Sequence, residues 1–186
     1  MPSKSRQRDT ALLIVDMVSE YDFPDAKRIL KGALQAAKAI ARLKQRAHAA
    51  KVPVIYVNDT AGKWESDQKA FLRRCLRPTA PGHDVVAAIA PTPADYFMFK
   101  PKHSAFFGTP LQALLRQLKI KRLAICGVTS HQCVLFTAMD AHVRDYDLAI
   151  PSDCIGALGA ADTKHALYVF SHALKAQITT SRALRF

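Results

Sequence analysis

KRLAICGVTSHQCVLFTAMDAHVRDYDLAIPSDC, Lys121 to Cys154, reads as strand, turn, helix and strand in succession. KRLAICGV (121–128) is apolar without alternation, the pattern of a strand buried on both faces. Cys133 to Arg144 follows with helical character, and DLAIPSDC (147–154) is a second apolar strand. A strand that returns through a helix lies parallel to the first. The stretch therefore decides for a parallel α/β sheet, and it sets a cysteine at a strand-to-helix junction.

The same alternation runs outward in both directions. ALLIVDM (Ala11 to Met17) is a buried strand ending in a carboxylate. Lys27 to Ala50 carries apolar residues at helical spacing, among them Ile29, Leu30, Ala33, Leu34, Ala37 and Ile40. PVIYVND (Pro53 to Asp59) is the next strand, then a polar loop in which Ser66 or Asp67 caps the helix DQKAFLRRCL. Pro78, Pro81 and Gly82 break the chain before the strand DYFMFK (Asp95 to Lys100). Thr109 and Pro110 start the helix LQALLRQLK, as N-cap and first helical residue. Ala160 to Leu174 is a helix and AQITTS (176–181) a last strand. The expected fold is α/β, a three-layer α/β/α sandwich around a six-stranded parallel sheet of order 3-2-1-4-5-6. Residues 10–186 form one expected domain behind a basic, flexible tail over residues 1–9. In such sheets ligands bind at the carboxyl ends of the strands, where the order reverses, here between strands one and four.

Asp16, Lys100 and Cys133 all fall at that edge. Singly, each has a plain structural reading: a loop-capping carboxylate, a solvated lysine and a buried thiol. Together they make a nucleophile, a cation and a proton acceptor. A thiolate is the reactive form of cysteine. The start of a helix and the Lys100 ammonium are both expected to lower the Cys133 pKa. Asp16 is placed to take the thiol proton and return it to a leaving group, and backbone N–H groups of the turn are placed to hold an oxyanion.

The segments ALLIVDM and FKPKHSAFFGTPLQALLRQLKIKRLAICGVTSHQCVLFTAMDAHVRDYDLAIPSDC resemble the isochorismatase-like cysteine hydrolases, a superfamily of nicotinamidases, N-carbamoylsarcosine amidohydrolases and isochorismatases. The likeness runs from about Thr10 to Thr180. It implies an Asp–Lys–Cys triad of Asp16, Lys100 and Cys133, and a cis peptide bond between Val128 and Thr129. It also implies an oxyanion hole from the backbone N–H groups of Thr129 and Cys133, and a homo-oligomer, dimer or tetramer. Nicotinamidases carry Asp-x-His after strand two to hold a metal. Here the place reads Asn58-Asp59-Thr60-Ala61, so no metal and no cofactor are expected. The loop NDTAGKWESD instead resembles a metal-free branch with an N-D-x-x-G-x-W-x-S-D pattern.

The remaining residues are less specific. Trp64 is the only tryptophan and stands in a polar loop, as a lid or pocket wall. Tyr21, Asn58, His103, Phe106 and His131 are candidate substrate contacts. The four cysteines lack C-x-x-C spacing and read as free thiols. The net charge of +12 comes from scattered Lys and Arg without a nucleic-acid motif. It suits attraction of an anionic small substrate better than binding of DNA or RNA. No apolar run reaches the roughly 18 residues of a membrane span, and MPSKSRQRDT lacks the apolar region of a secretory signal. A cytoplasmic enzyme is expected. Its expected activity is metal-independent hydrolysis of a C–N bond in a small amide or ureide, through a thioester on Cys133. The alternatives are an isochorismatase-type vinyl-ether hydrolase and, last, a non-enzymatic binding protein.

Overall fold

The computed structural model describes residues 9–60, 64 and 67–186. The expected tail lies outside the described residues up to residue 8. The strands are β1 (Thr10–Val15), β2 (Val54–Asp59), β3 (Tyr96–Lys100), β4 (Arg122–Val128), β5 (Asp147–Pro151), β6 (Ile155–Gly156) and β7 (Gln177–Thr179). The helices are α1 (Ala26–Ala49), α2 (Gln68–Cys75), α3 (His83–Ile89), α4 (Leu111–Gln117), α5 (Cys133–His142) and α6 (Ala160–His172). The sheet is parallel, in the order β3-β2-β1-β4-β5-β7, with β6 paired to β4. That is the expected order with β7 as the sixth strand and β6 as an addition.

The apolar strands are buried on both faces, as their lack of alternation requires. Leu12, Ile14, Tyr56, Ala124 and Cys126 pack with α1 and α3. Their neighbours Leu13, Val15, Val57, Leu123 and Ile125 face the other layer, with Leu115, Ala138 and Phe170 of the opposite helices. Successive side chains of a strand point to opposite faces, so each strand feeds two cores.

Two local expectations differ, and a third is met. The segment after Gly82 was expected only as a break, yet His83–Ile89 is helical, burying Val85, Val86 and Ile89. Seven residues are too few to show a period clearly. The expected strand DLAIPSDC stops at Pro151 and passes through a 3-10 turn, Ser152–Cys154, into β6. Pro151 has no N–H for the ladder. Of the two expected caps for α2, Asp67 accepts the Ala70 N–H at 2.9 Å, while Ser66 lies outside the described residues.

Two features fix strands that carry the site. Asp95, its side chain shielded from solvent just before β3, accepts from Lys44 at 2.8 Å and is paired with His48 at 2.6 Å, both on α1. Gly127 pairs with Val15 in the β1–β4 ladder and has φ of +127°. A Cβ there would stand 2.0 Å from the Val15 carbonyl oxygen, so only glycine lets the two strand ends close up. Gly127→Ala is therefore expected to cost about 3 kcal/mol or more, read as a collapse of the thermal midpoint or as insoluble protein. An unchanged midpoint would contradict the close approach.

Candidate active site

The ladder register gathers the site. Val15 stands beside both Val57 and Gly127, and Asp59 stands beside Lys100. The residues that end β1, β2, β3 and β4 therefore share one edge of the sheet.

Asp16 follows β1 with φ of 53°, a left-handed conformation that Asp adopts more readily than most residues. Its N–H donates to the Val57 carbonyl at 3.0 Å. Its Oδ1 accepts the Asp59 N–H at 2.6 Å, which anchors the carboxylate between β1 and β2. Lys100 ends β3 with its side chain wholly shielded from solvent, and its Nζ lies 2.8 Å from Asp16 Oδ2. The same ammonium donates to the Lys102 carbonyl at 3.0 Å and to Cys133 Sγ at 3.5 Å, and lies 3.7 Å from Asp59 Oδ2. Cys133 is the first residue of α5. Its N–H is one of those a helix start leaves without an intrahelical acceptor. The peptide bond between Val128 and Thr129 is cis, as expected.

These groups open onto a cavity of about 310 Å³ whose lining includes Asp16, Cys133, Thr129, Tyr21 and Asn58. The volume is at the lower end for small-molecule sites. Asp59, Ser19, Val18, Ile29 and Gln132 also line it, and the sequence had not marked them for this role. Residues at or just beyond the ends of β1 and β2 are the places the switch-point rule points to, and that signal covers Val18, Ser19 and Asp59.

The other expected contacts divide. His103 lies beside the thiol, its Nδ1 3.7 Å from Cys133 Sγ and its ring stacked 5.5 Å from Phe136. Phe106 does not reach the cavity. It belongs to the core beneath the Arg144 guanidinium, 4.9 Å from its ring, and beside Tyr146. A large apolar side chain gains more from full burial than from a polar rim. Trp64 is 83% exposed and is not among the cavity residues, and neither is His131.

The electrostatics differ from the sequence expectation. Burial raises the Asp16 pKa above the usual carboxylate range, although the Lys100 charge opposes it. Burial, and then the negative charge of Asp16, push the Cys133 thiol up, against the downward pull of Lys100. Burial works to lower Lys100, but Asp16 and Cys133 hold it above its ordinary value. The helix start and the ammonium were expected to yield a ready thiolate. Desolvation and the adjacent Asp16 charge outweigh them, so the Cys133 pKa is raised rather than lowered.

Among the described residues no three His, Cys, Asp or Glu side chains converge as a cation site. Asp59 at the Asp-x-His position has no histidine two residues on, so the donor set does not fit the nicotinamidase metal.

A family model described as "Isochorismatase domain" matches residues 10–182. An uncharacterised isochorismatase family protein, YaaI of Bacillus subtilis, is 39% identical over 95% of this chain and 96% of its own. Ureidoacrylate amidohydrolase RutB of Azorhizobium caulinodans is 29% identical over 74% of this chain and 72% of its own. The crystal structure of N-carbamoylsarcosine amidase from Thermoplasma acidophilum superposes with a TM-score of 0.72 at 25% identity, covering 96% of this chain and 99% of that one.

The thiols should react in a set order. Cys75, Cys126 and Cys154 are buried and Cys133 is half-buried, and burial also pushes Cys75 up to about 12. Iodoacetamide is expected to label Cys133 first in the native protein, slowly at neutral pH and faster as pH rises. Peptide mass mapping checks this. Rapid labelling of Cys133 below pH 7 would contradict a protonated resting thiol.

Proposed function

The chain belongs to the isochorismatase family of hydrolases, and we propose that it is a metal-independent cysteine hydrolase cleaving a C–N bond of a small amide or ureide. The observation that carries this reading is the Lys100 ammonium, 2.8 Å from Asp16 Oδ2 and 3.5 Å from Cys133 Sγ, beside the cavity. The amidohydrolase and amidase among its relatives agree with it.

Asp16 accepts the thiol proton as Sγ attacks the substrate carbonyl carbon. A carboxylate whose proton affinity burial has raised is a better match for a thiol than an ordinary one. Lys100 offsets the charge that moves onto sulfur and holds Asp16 in place. The oxyanion is held by the backbone N–H groups of Thr129 and Cys133. The intermediate collapses with cleavage of the C–N bond, and Asp16 gives its proton to the leaving nitrogen. Water then attacks the thioester carbonyl, Asp16 takes a proton from it, and the departing sulfur recovers that proton. One amide and one water become one carboxylic acid and one amine.

A second reading draws on the same raised Asp16 pKa. A carboxyl that retains a proton more readily suits vinyl-ether cleavage by protonation of carbon, with no role for the thiol. The two readings part at Cys133.

Amide hydrolysis is expected to fall on the acid side with an apparent pKa above the ordinary carboxylate value of 3.8, because Asp16 acts only when ionised. Cys133→Ala and Asp16→Asn should each lower kcat by about 10²-fold or more. A panel of small amides and ureides, followed by ammonia or amine release across pH, reads all three. Full turnover by Cys133→Ala, with pyruvate released from isochorismate, would replace the first reading by the second.

A further inference from the structure

Among the described residues Cys133 Sγ has three polar side-chain neighbours, and the reaction above uses two of them. It shares a hydrogen bond with the Asp16 side chain and accepts from Lys100 Nζ at 3.5 Å. The third is His103, whose Nδ1 lies 3.7 Å away, within reach of a hydrogen bond to an atom as large as sulfur. Chemistry fixes the direction of that bond. A thiol has one hydrogen and a carboxylate only accepts, so the thiol hydrogen goes to Asp16. Sulfur then accepts from His103, which places the imidazole proton on Nδ1. The ring itself is exposed, yet the chain on either side of it is tied to the catalytic edge. Before it, the Lys102 carbonyl accepts from Lys100 Nζ at 3.0 Å. After it, the Ala105 N–H donates to Thr137 Oγ1 at 3.0 Å, and Thr137 is buried on α5, four residues beyond Cys133. The imidazole stacks on Phe136, with centroids 5.5 Å and planes 29° apart, one helical turn from the nucleophile.

We infer that His103 is a further catalytic residue, donating its Nδ1–H to the Cys133 sulfur while that sulfur carries negative charge. This rests on the reading of Cys133 as the nucleophile and adds a residue to it. The movement of charge explains why Lys100 alone does not serve. As the thiol proton passes to Asp16 and the sulfur–carbon bond forms, negative charge leaves the carboxylate and passes through the sulfur. Lys100 touches both, at 2.8 Å and 3.5 Å, so it loses on one side part of what it gains on the other. Among the described residues His103 bonds to the sulfur and to neither Asp16 nor Lys100. Its hydrogen bond strengthens only as charge develops on sulfur, which is the kind of interaction that lowers a barrier. The thioester breaks by the reverse route. The electron pair of the sulfur–carbon bond returns to sulfur, His103 and Lys100 donate to it, and Asp16 gives back the proton. His103 keeps its own proton throughout.

Two variants separate donation from mere cover. His103→Phe keeps a ring on Phe136 and removes the donor. His103→Asn removes the ring and keeps an N–H donor, the same two bonds from Cβ as Nδ1. The position is exposed, so both variants should fold. Alkylation of Cys133 by iodoacetamide at mildly alkaline pH, followed by peptide mass mapping, reads the thiolate without turnover. His103→Phe is expected to slow it about tenfold, the loss of one hydrogen bond to a charged acceptor. It should lower kcat on a small amide or ureide by a similar factor with little change in KM. His103→Asn should recover most of both losses. The opposite order, His103→Phe as fast as the unaltered protein and His103→Asn faster, is what a shield over the thiol would give, and it overturns the inference. Equal alkylation of all three proteins overturns it too. Slowing by His103→Phe and recovery by His103→Asn, with no amide or ureide hydrolysed by the unaltered enzyme, upholds His103 as the donor and overturns the C–N hydrolase reading. Amide hydrolysis that His103→Phe leaves unchanged upholds that reading and overturns the donor.

Discussion

A lysine ammonium with no exposure to water is the constraint around which the catalytic edge is arranged. A buried charge is tolerated only when it is paired and hydrogen-bonded. Lys100 meets that demand through Asp16 at 2.8 Å, the Lys102 carbonyl at 3.0 Å and Cys133 Sγ at 3.5 Å, with Asp59 at 3.7 Å. Those partners come from the ends of β1 and β2, the loop after β3 and the start of α5. Meeting the requirement of one cation brings four segments together, and the fold supplies the means. The register of β2 against β3 sets Lys100 beside Asp59. The glycine at 127 lets β4 close on β1.

The same pairing explains the resting state. Two groups of opposite charge lie beside the thiol, and they do not cancel. Burial raises the Cys133 pKa most, and Asp16 raises it further than Lys100 lowers it. The thiol is thus harder to ionise than an ordinary cysteine.

Much of this was legible in the sequence, and the rest fails for identifiable reasons. Continuous apolar strands such as ALLIV and RLAIC are unmistakable because two cores bury them, and crossover rules then lead to the sheet order. Asp16, Lys100 and Cys133 could be brought to one edge because strand ends need no side-chain geometry to locate. His83–Ile89 escaped because about two turns hold too few apolar positions to reveal a period. Phe106 was misjudged because a phenylalanine near a site looks alike in the sequence whether it faces the cavity or Arg144. The resting charge of Cys133 was misjudged because helix position and a nearby lysine are visible along a chain, whereas desolvation is a property of the packed molecule.

The central claim is that burial and then the Asp16 charge raise the Cys133 thiol pKa against the pull of Lys100. Its most direct test is a titration of thiolate absorbance in the ultraviolet, taken as a difference from Cys133→Ala protein and repeated with Asp16→Asn. The account predicts no Cys133 thiolate at neutral pH in the unaltered protein, and a thiolate appearing at clearly lower pH once the Asp16 charge is removed. A thiolate already present at neutral pH, or a titration that Asp16→Asn leaves in place, would contradict it.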